Sequence, residues 1–310
     1  MLLKNLISNI PIKKKNIFIR GISIDSKEIK KNFIFFAIKG NKINGEKFIN
    51  KAIIKGAKVI VCSKNCKIKI KNNDEILLKT NKIRELLSLV ASRFYNFKPK
   101  NIIAVTGTNG KTSVADIFHQ ILSLNKIPSA SIGTLGVKYN YSTIKTTLTS
   151  PDTISLHKYL NFLKKKKIDN VIIEASSHGL DQKRLHNINF KAGVFTNFSH
   201  DHLDYHKNMK NYLKAKLILF KELLKINSTI ISDEKISPFK IIKKIALKRN
   251  LKIFKINKEL NKLKSLSSKL KVDFKVKNLA MAIEAAKLCG LKKNLAYASI
   301  NKLEDVDGRF

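Results

Sequence analysis

The chain has 310 residues, 44% of them hydrophobic, enough for two ordinary domains with real cores. Its formal net charge of +40 is almost all lysine, because arginine occurs only at Arg20, Arg84, Arg93, Arg184, Arg249 and Arg309. The lysine is spread through every segment instead of clustering, so it reads as solvated surface and no specific nucleic-acid partner is expected. No apolar run reaches membrane-spanning length, the first residues lack a signal-peptide pattern, and Cys62, Cys66 and Cys289 give no disulfide framework; the expectation is a cytoplasmic protein with no membrane partner.

From Met1 to Lys98 short apolar runs alternate with turns. Residues 32–38 and 58–62 read as strands, 48–55 as a short helix and 82–94 as a longer one. Asp25-Ser26-Lys27 and the Gly40–Gly45 segment stand out as loops with polar or glycine character. Lys98-Pro99-Lys100 breaks the pattern, which places a domain boundary there, with domains at 1–98 and 99–310.

The next stretch, Asn101 to Ser113, organises the remainder. Ile102 to Val105 is a doubly buried strand pattern, Thr106-Gly107-Thr108-Asn109-Gly110 turns the chain, and Lys111-Thr112-Ser113 opens a helical spacing. A strand, a glycine turn and Gly-Lys-Thr at a helix start form a cradle for nucleotide phosphates. Backbone N–H groups and the helix dipole face the anion, Lys111 adds a point charge, and the Thr112 hydroxyl can ligate Mg²⁺. The strict eight-residue pattern has glycine where this chain has Val105.

Beyond it, strand patterns at 128–132, 170–174, 192–196, 228–231 and 252–256 alternate with helical ones at 154–165, 209–224 and 236–248. Two further helices are expected at 276–289 and 293–303. The fold class is therefore α/β, with a parallel sheet covered by helices on both faces. Two strand ends carry chemistry. Glu174 closes one and runs into Ala175-Ser176-Ser177-His178-Gly179-Leu180-Asp181-Gln182-Lys183-Arg184; its carboxylate is placed to hold Mg²⁺. The strand at 192–196 empties into Ser199-His200-Asp201-His202-Leu203-Asp204-Tyr205-His206. That density of imidazole and carboxylate suits metal or phosphate work, and zinc catalysis is the alternative that makes no use of a nucleotide. Lys216, by composition alone, is one lysine among many.

Together these motifs, with Leu148-Thr149-Ser150-Pro151-Asp152, resemble the Mur ligases, and within them the branch that adds the third residue of the peptidoglycan stem peptide. The resemblance implies an N-terminal α/β domain for the UDP substrate and a central ATPase domain. It implies an ATP-dependent amide ligase acting on UDP-MurNAc-L-Ala-D-Glu and a diamino acid, meso-diaminopimelate, through an acyl phosphate. Thr106, Gly107, Thr108, Asn109, Gly110, Lys111, Thr112 and Ser113 would hold ATP, with Asn278 and Arg309 facing the nucleotide. Thr112, Glu174, His202 and Lys216 as a carbamate would ligate Mg²⁺. Lys111, Glu174, His202 and Lys216 would form the catalytic set. Ser26, Asn41, Thr149, Ser150, Ser176, Gln182 and Arg184 would contact the UDP substrate. Ser150 and Lys275 stand where threonine and asparagine are usual. The family has a C-terminal amino-acid-binding domain beyond the Gly308-Arg309 hinge; the expectation is that it is missing after 310, that the chain alone ligates poorly, and that a separate polypeptide could supply it. A folylpolyglutamate-synthetase-like ligase and a non-catalytic nucleotide-binding remnant are the competing readings.

Overall fold

The structure is a computed structural model and describes residues 1–310 except 9, 41–42, 70–73, 267–272 and 306–310. The chain divides into two compact units, Met1–Asn96 with Thr153–Lys158, and Phe97–Asp152 with Tyr159–Phe310.

The first unit contains α1 (Leu3–Leu6), β1 (Gly21–Ser23), β2 (Phe33–Phe36), α2 (Ile49–Ile54), β3 (Ala57–Cys62), β4 (Ile76–Lys79) and α3 (Ile83–Phe94). Its four strands lie parallel in the order β1-β2-β3-β4. Side chains alternate across a strand, and here both faces are apolar. Ile34, Phe36, Val59 and Val61 join Leu3, Leu6, Leu87 and Val90 on one side. Phe35, Ile60 and Cys62 join Ile49 and Ala52 on the other. A sheet buried on both faces explains why these strands read as continuous apolar runs.

The second unit contains β5 (Asn101–Thr106), α4 (Lys111–Leu124), β6 (Ser129–Gly133), β7 (Gly136–Tyr139), β8 (Ser142–Ile144), α5 (Thr153–Lys165, whose first residues belong to the other unit), β9 (Asn170–Glu174), α6 (Ser177–Asp181) and β10 (Phe190–Phe195). There follow α7 (Leu203–His206), α8 (Met209–Ile218), β11 (Leu224–Ser232), α9 (Phe239–Arg249), β12 (Lys252–Lys255), α10 (Asn257–Leu266), α11 (Asp273–Leu288) and α12 (Lys293–Ala298). The eight-stranded sheet runs β12-β11-β10-β5-β9-β6-β7-β8. Six strands are parallel, as expected, and β7 and β8 add an antiparallel hairpin beside β6. The helix expected over 209–224 also stops short: α8 ends at Ile218, a π turn covers Leu219–Leu223, and β11 starts at Leu224.

β5 is central and pairs with β9 and β10, register Val105↔Glu174 and Thr106↔Phe195. Three strands therefore end side by side, at the edge where open α/β sheets bind ligands. Behind them α4 packs Val114, Phe118 and Ile121 with Val276, Leu279 and Ile283 of α11 in one core. Burying a side chain such as Phe118 contributes about 2–3 kcal/mol, and the alanines of α11 at 280, 282, 285 and 286 keep that helix narrow enough to sit close.

Candidate active site at the phosphate loop

All of β5 is buried, and the chain leaves it through two glycines with positive φ, Gly107 (+145°) and Gly110 (+81°). Neither tolerates a side chain. A Cβ on Gly107 would stand 1.9 Å from Thr196 Oγ1, and one on Gly110 would stand 2.7 Å from Asn278 Oδ1. The loop is held from outside by the end of β10. Thr108 N donates to Asn197 O (3.0 Å), Asn109 N to Asn197 Oδ1 (2.8 Å), and Thr196 Oγ1 to Asn109 O (2.5 Å). Asn278, on the second turn of α11, sets its side-chain amide beside Gly110.

Lys111 Nζ folds back on its own loop, donating to Gly107 O (3.0 Å) and Thr108 O (2.7 Å). Lys216 Nζ, from α8, donates to the same Gly107 carbonyl at 2.6 Å. Lys216 is 1% exposed. Burial first, and then the charge of Lys111, pull its pKa down from 10.5 to about 6. Two ammonium groups on one carbonyl repel, and a buried ammonium is costly to desolvate, so one amine sheds its proton. At neutral pH Lys216 is a neutral, nucleophilic amine. Its Nζ lies 4.3 Å from the ring centroid of Tyr212, one helical turn earlier.

Glu174 lies against the other side of the loop and is also 1% exposed. Its Oε2 accepts from Thr112 Oγ1 (2.9 Å) and Thr134 Oγ1 (3.2 Å), its Oε1 from Thr134 N (2.8 Å). Burial raises its pKa, and the Thr134 and Thr112 donors oppose that rise. Thr134 is the site residue that sequence reading missed. Its signal was a Gly-Thr pair at the end of β6, the same strand-end position that drew attention at Glu174.

A second polar set follows β9. Ser150 Oγ donates to Glu174 O (2.7 Å) and pairs with Ser176 Oγ (2.9 Å), which caps α6 by accepting from Gly179 N. Arg184 reaches Ser150 O (2.7 Å) and Gln182 Oε1 (2.6 Å). Gln182 Nε2 donates to Tyr205 OH, which donates to Asp181. Thr149 Oγ1 pairs with Thr134 Oγ1 at 3.2 Å, tying this set to Glu174. His178, His202, Tyr205, His206 and Tyr212 form a packed group of rings. Burial lowers the pKa of both His178 and His206.

The structure thus brings together Lys111, Thr112, Glu174 and Lys216 around one loop, with Thr149, Ser150, Ser176, Gln182 and Arg184 linked to it. His202 is placed differently. Its Nε2 faces Asp201 at 3.4 Å, and its ring meets the site through Tyr212 instead of by a hydrogen bond to the phosphate loop. Thr106 is fully buried at the strand end and its hydroxyl points into protein. Ser26 lies in the first unit, buried in the turn where Lys27 N donates to Asp25 Oδ1. Asn41 and Arg309 fall outside the described residues.

The donor set discriminates between metals. Among the described residues no group of three His, Cys, Asp or Glu side chains is placed to hold a metal ion, the packed histidine rings included, so nothing there favours the zinc alternative. One buried carboxylate beside a threonine hydroxyl fits Mg²⁺, which keeps waters and takes phosphate oxygens for its remaining positions.

Comparison with known proteins agrees with this layout. The Mur ligase middle domain matches residues 105–290, and the Mur ligase family catalytic domain matches 18–95. The UDP-N-acetylmuramoyl-L-alanyl-D-glutamate–2,6-diaminopimelate ligase of Zymomonas mobilis subsp. mobilis is 42% identical over 219 residues, 71% of this chain and 44% of that protein. The protein of the same name from Rickettsia bellii is 42% identical over 238 residues, 76% and 48% of the two chains. The chain spans about half the length of the curated relatives it matches. A solved structure of a ligase of that name shares the fold, with a TM-score of 0.82 at 23% identity over 100% of this chain and 68% of that one. The match to the middle domain takes in the phosphate loop, Glu174, Lys216 and Asn278, and the chain belongs to the Mur ligase family.

Proposed function

We propose that this chain works in the ATP-dependent ligation of meso-diaminopimelate to UDP-MurNAc-L-Ala-D-Glu, a MurE-type step of peptidoglycan precursor synthesis in the cytoplasm. The observation that carries the reading is the shared Gly107 carbonyl: a buried, neutral Lys216 amine beside the phosphate-loop lysine. A neutral amine in a nearly dry site can add through its lone pair to the carbon of CO₂ and give up one proton, which turns a would-be cation into an anionic carbamate. Residues 1–98, with Ser26 and Asn41, would take the UDP portion, and residues 99–310 the ATP.

Within this reading Lys111 exchanges its two loop carbonyls for the β- and γ-phosphate oxygens, and the backbone N–H groups at the start of α4 face the same anion. Thr112, Glu174 and His202 would hold Mg²⁺ and the Lys216 carbamate would ligate or orient a second one, which would supply charge neutralisation at the transferring phosphate. Arg184, held by Gln182 and Ser150, would grip the D-glutamyl carboxylate while Ser176 and Thr149 orient the peptide. The γ-carboxylate oxygen attacks the γ-phosphorus and ADP departs; the amine nitrogen then attacks the acyl carbon, phosphate leaves with the bonding pair, and the nitrogen gives up a proton. Positive groups at Lys111 and Arg184 stabilise the charge that develops in both steps.

A thermal-shift series tests the reading. Mg·ATP and UDP-MurNAc-L-Ala-D-Glu are each expected to raise the melting temperature at concentrations near 100 times Kd, a stabilisation of about 2.7 kcal/mol. A shift with a folate and none with the UDP substrate would assign the chain to folylpolyglutamate-type ligation; no shift with ATP would refute nucleotide binding.

A further inference from the structure

Tyr212 is a fully buried side chain that touches both Thr108 of the phosphate loop and Lys216, and neither the family match nor the expected ligand set gives it a role. Its hydroxyl donates to Thr108 Oγ1 at 3.3 Å. That oxygen also accepts from Ser199 N (3.1 Å) and donates to Ser199 O (3.2 Å). A hydroxyl has one proton and two lone pairs, so Tyr212 completes the set and leaves the Thr108 side chain no alternative orientation. The ring does separate work. One face lies 4.3 Å from Lys216 Nζ, and Phe198 stacks on the ring at 5.5 Å with His206 tilted against it at 5.3 Å. Asn208 caps α8 by accepting from Asn211 N, which fixes the turn from which Tyr212 and Lys216 project together.

We propose that Tyr212 is a positioning residue for the ligation site: its hydroxyl locks the Thr108 corner of the phosphate loop, and its ring walls the Lys216 amine from water so that the modified lysine persists. The inference rests on the reading above. Two parts of one side chain carry the two duties, so they separate by mutation. Removing the hydroxyl alone loosens the loop, whereas removing the ring also exposes Lys216.

The test uses the full chain and two variants, Tyr212→Phe and Tyr212→Leu. Mg·ATP binding is measured by calorimetry, and carbamate at lysine by ¹³C NMR in ¹³C-bicarbonate. The conservative Y212F is expected to bind Mg·ATP about 5–10-fold more weakly, the loss of one hydrogen bond, with the carbamate signal intact. Y212L is expected to lose the carbamate signal as well. Y212F decides the hydroxyl's part, because it removes one oxygen from an otherwise unchanged ring. If Y212L does not fold, Tyr212→Met takes its place, and a carbamate signal kept in a folded variant without the ring would overturn the ring's part. Wild-type ATP binding matched by Y212F would overturn the inference and leave the ligase reading standing. A wild-type chain that binds no ATP overturns both.

Discussion

Gly133 offers the sharpest test of how Glu174 is held. A Cβ added there would stand 2.0 Å from Glu174 Oε1, 2.4 Å from Cδ and 2.5 Å from Cγ, against an ordinary contact of about 3.5 Å. Gly133 has no positive φ, so the backbone accepts alanine and the whole conflict falls on the carboxylate. The glutamate has to withdraw by more than an ångström, and it loses Thr134 N first, then one of the two hydroxyl donors. Hydrogen bonds to a charged group contribute about 1.5–3 kcal/mol each, and no water replaces them in a site this buried. Two lost bonds give about 3–6 kcal/mol, which in a unit of this size lowers the melting temperature by roughly 6–24 °C. Gly290→Ala is the control. Its φ is +98° with nothing within 4 Å of a new Cβ, so it costs only backbone strain, about 1–2 kcal/mol. Thermal unfolding followed by circular dichroism, with Mg·ATP titrations on each variant, gives both readouts. A Gly133→Ala protein as stable as wild type, binding Mg·ATP equally well, would falsify the account of Glu174 as a carboxylate clamped from three sides.

Glu174→Gln is expected to separate stability from binding. Burial raises the folded-state pKa of Glu174, so the wild-type chain loses stability as pH rises from about 4.5 through that raised value. The glutamine variant escapes that loss, and its stability advantage should grow from pH 4 to neutrality while its Mg²⁺-dependent ATP affinity falls; an advantage independent of pH would count against the argument. Lys216→Met probes the opposite sign. Folded Lys216 has shed at pH 7 a proton that the unfolded chain keeps, so wild-type stability relative to the variant rises from pH 6, where the penalty is full, towards 10.5. Denaturant titrations in CO₂-free buffer that gave a flat difference over that range would show that the amine is not neutral. Finally, the net charge of +40 predicts retention on a polyanion matrix that falls steeply with salt and does not depend on nucleotide sequence. Binding to one sequence that survives physiological salt would contradict the surface reading of the lysines.

The phosphate loop was legible because its parts are contiguous: a buried strand, two glycines and Lys-Thr lie within one short stretch of chain. Glu174 was legible for a related reason, since a carboxylate that closes an apolar strand stands at the sheet edge where ligands bind. Thr134 was not, because its role depends on β6 pairing with β9 at Ile132↔Ile173, a contact between segments far apart in the chain. The β7–β8 hairpin was missed because the alternation of strand and helix around it suggests only parallel crossovers. Its own signal was local, the turn at Asn140-Tyr141, where Asn140 takes φ +48°. The end of α8 was misplaced for a different reason. Leu217, Leu219, Phe220 and Leu223 keep apolar spacing through the π turn, so the pattern gives no stop before β11. Lys216 carries no compositional signal in a lysine-rich chain; only its resemblance to a family position singled it out, and its burial is what distinguishes it physically.

The two edges of the larger sheet bear on what could pair with them. An open edge strand is a template for another copy, and a sheet is most exposed to such pairing where its edges are long and bare. Here one edge is β12, four residues with Lys252 at its start and Lys255 at its end, both exposed. The other is β8, three residues joined to β7 by a two-residue turn. A strand arriving at either side would find few backbone partners, and at β12 it would also meet positive charge. The lysine that says nothing about recognition thus sets positive charge along one margin of the sheet, where it disfavours an added strand.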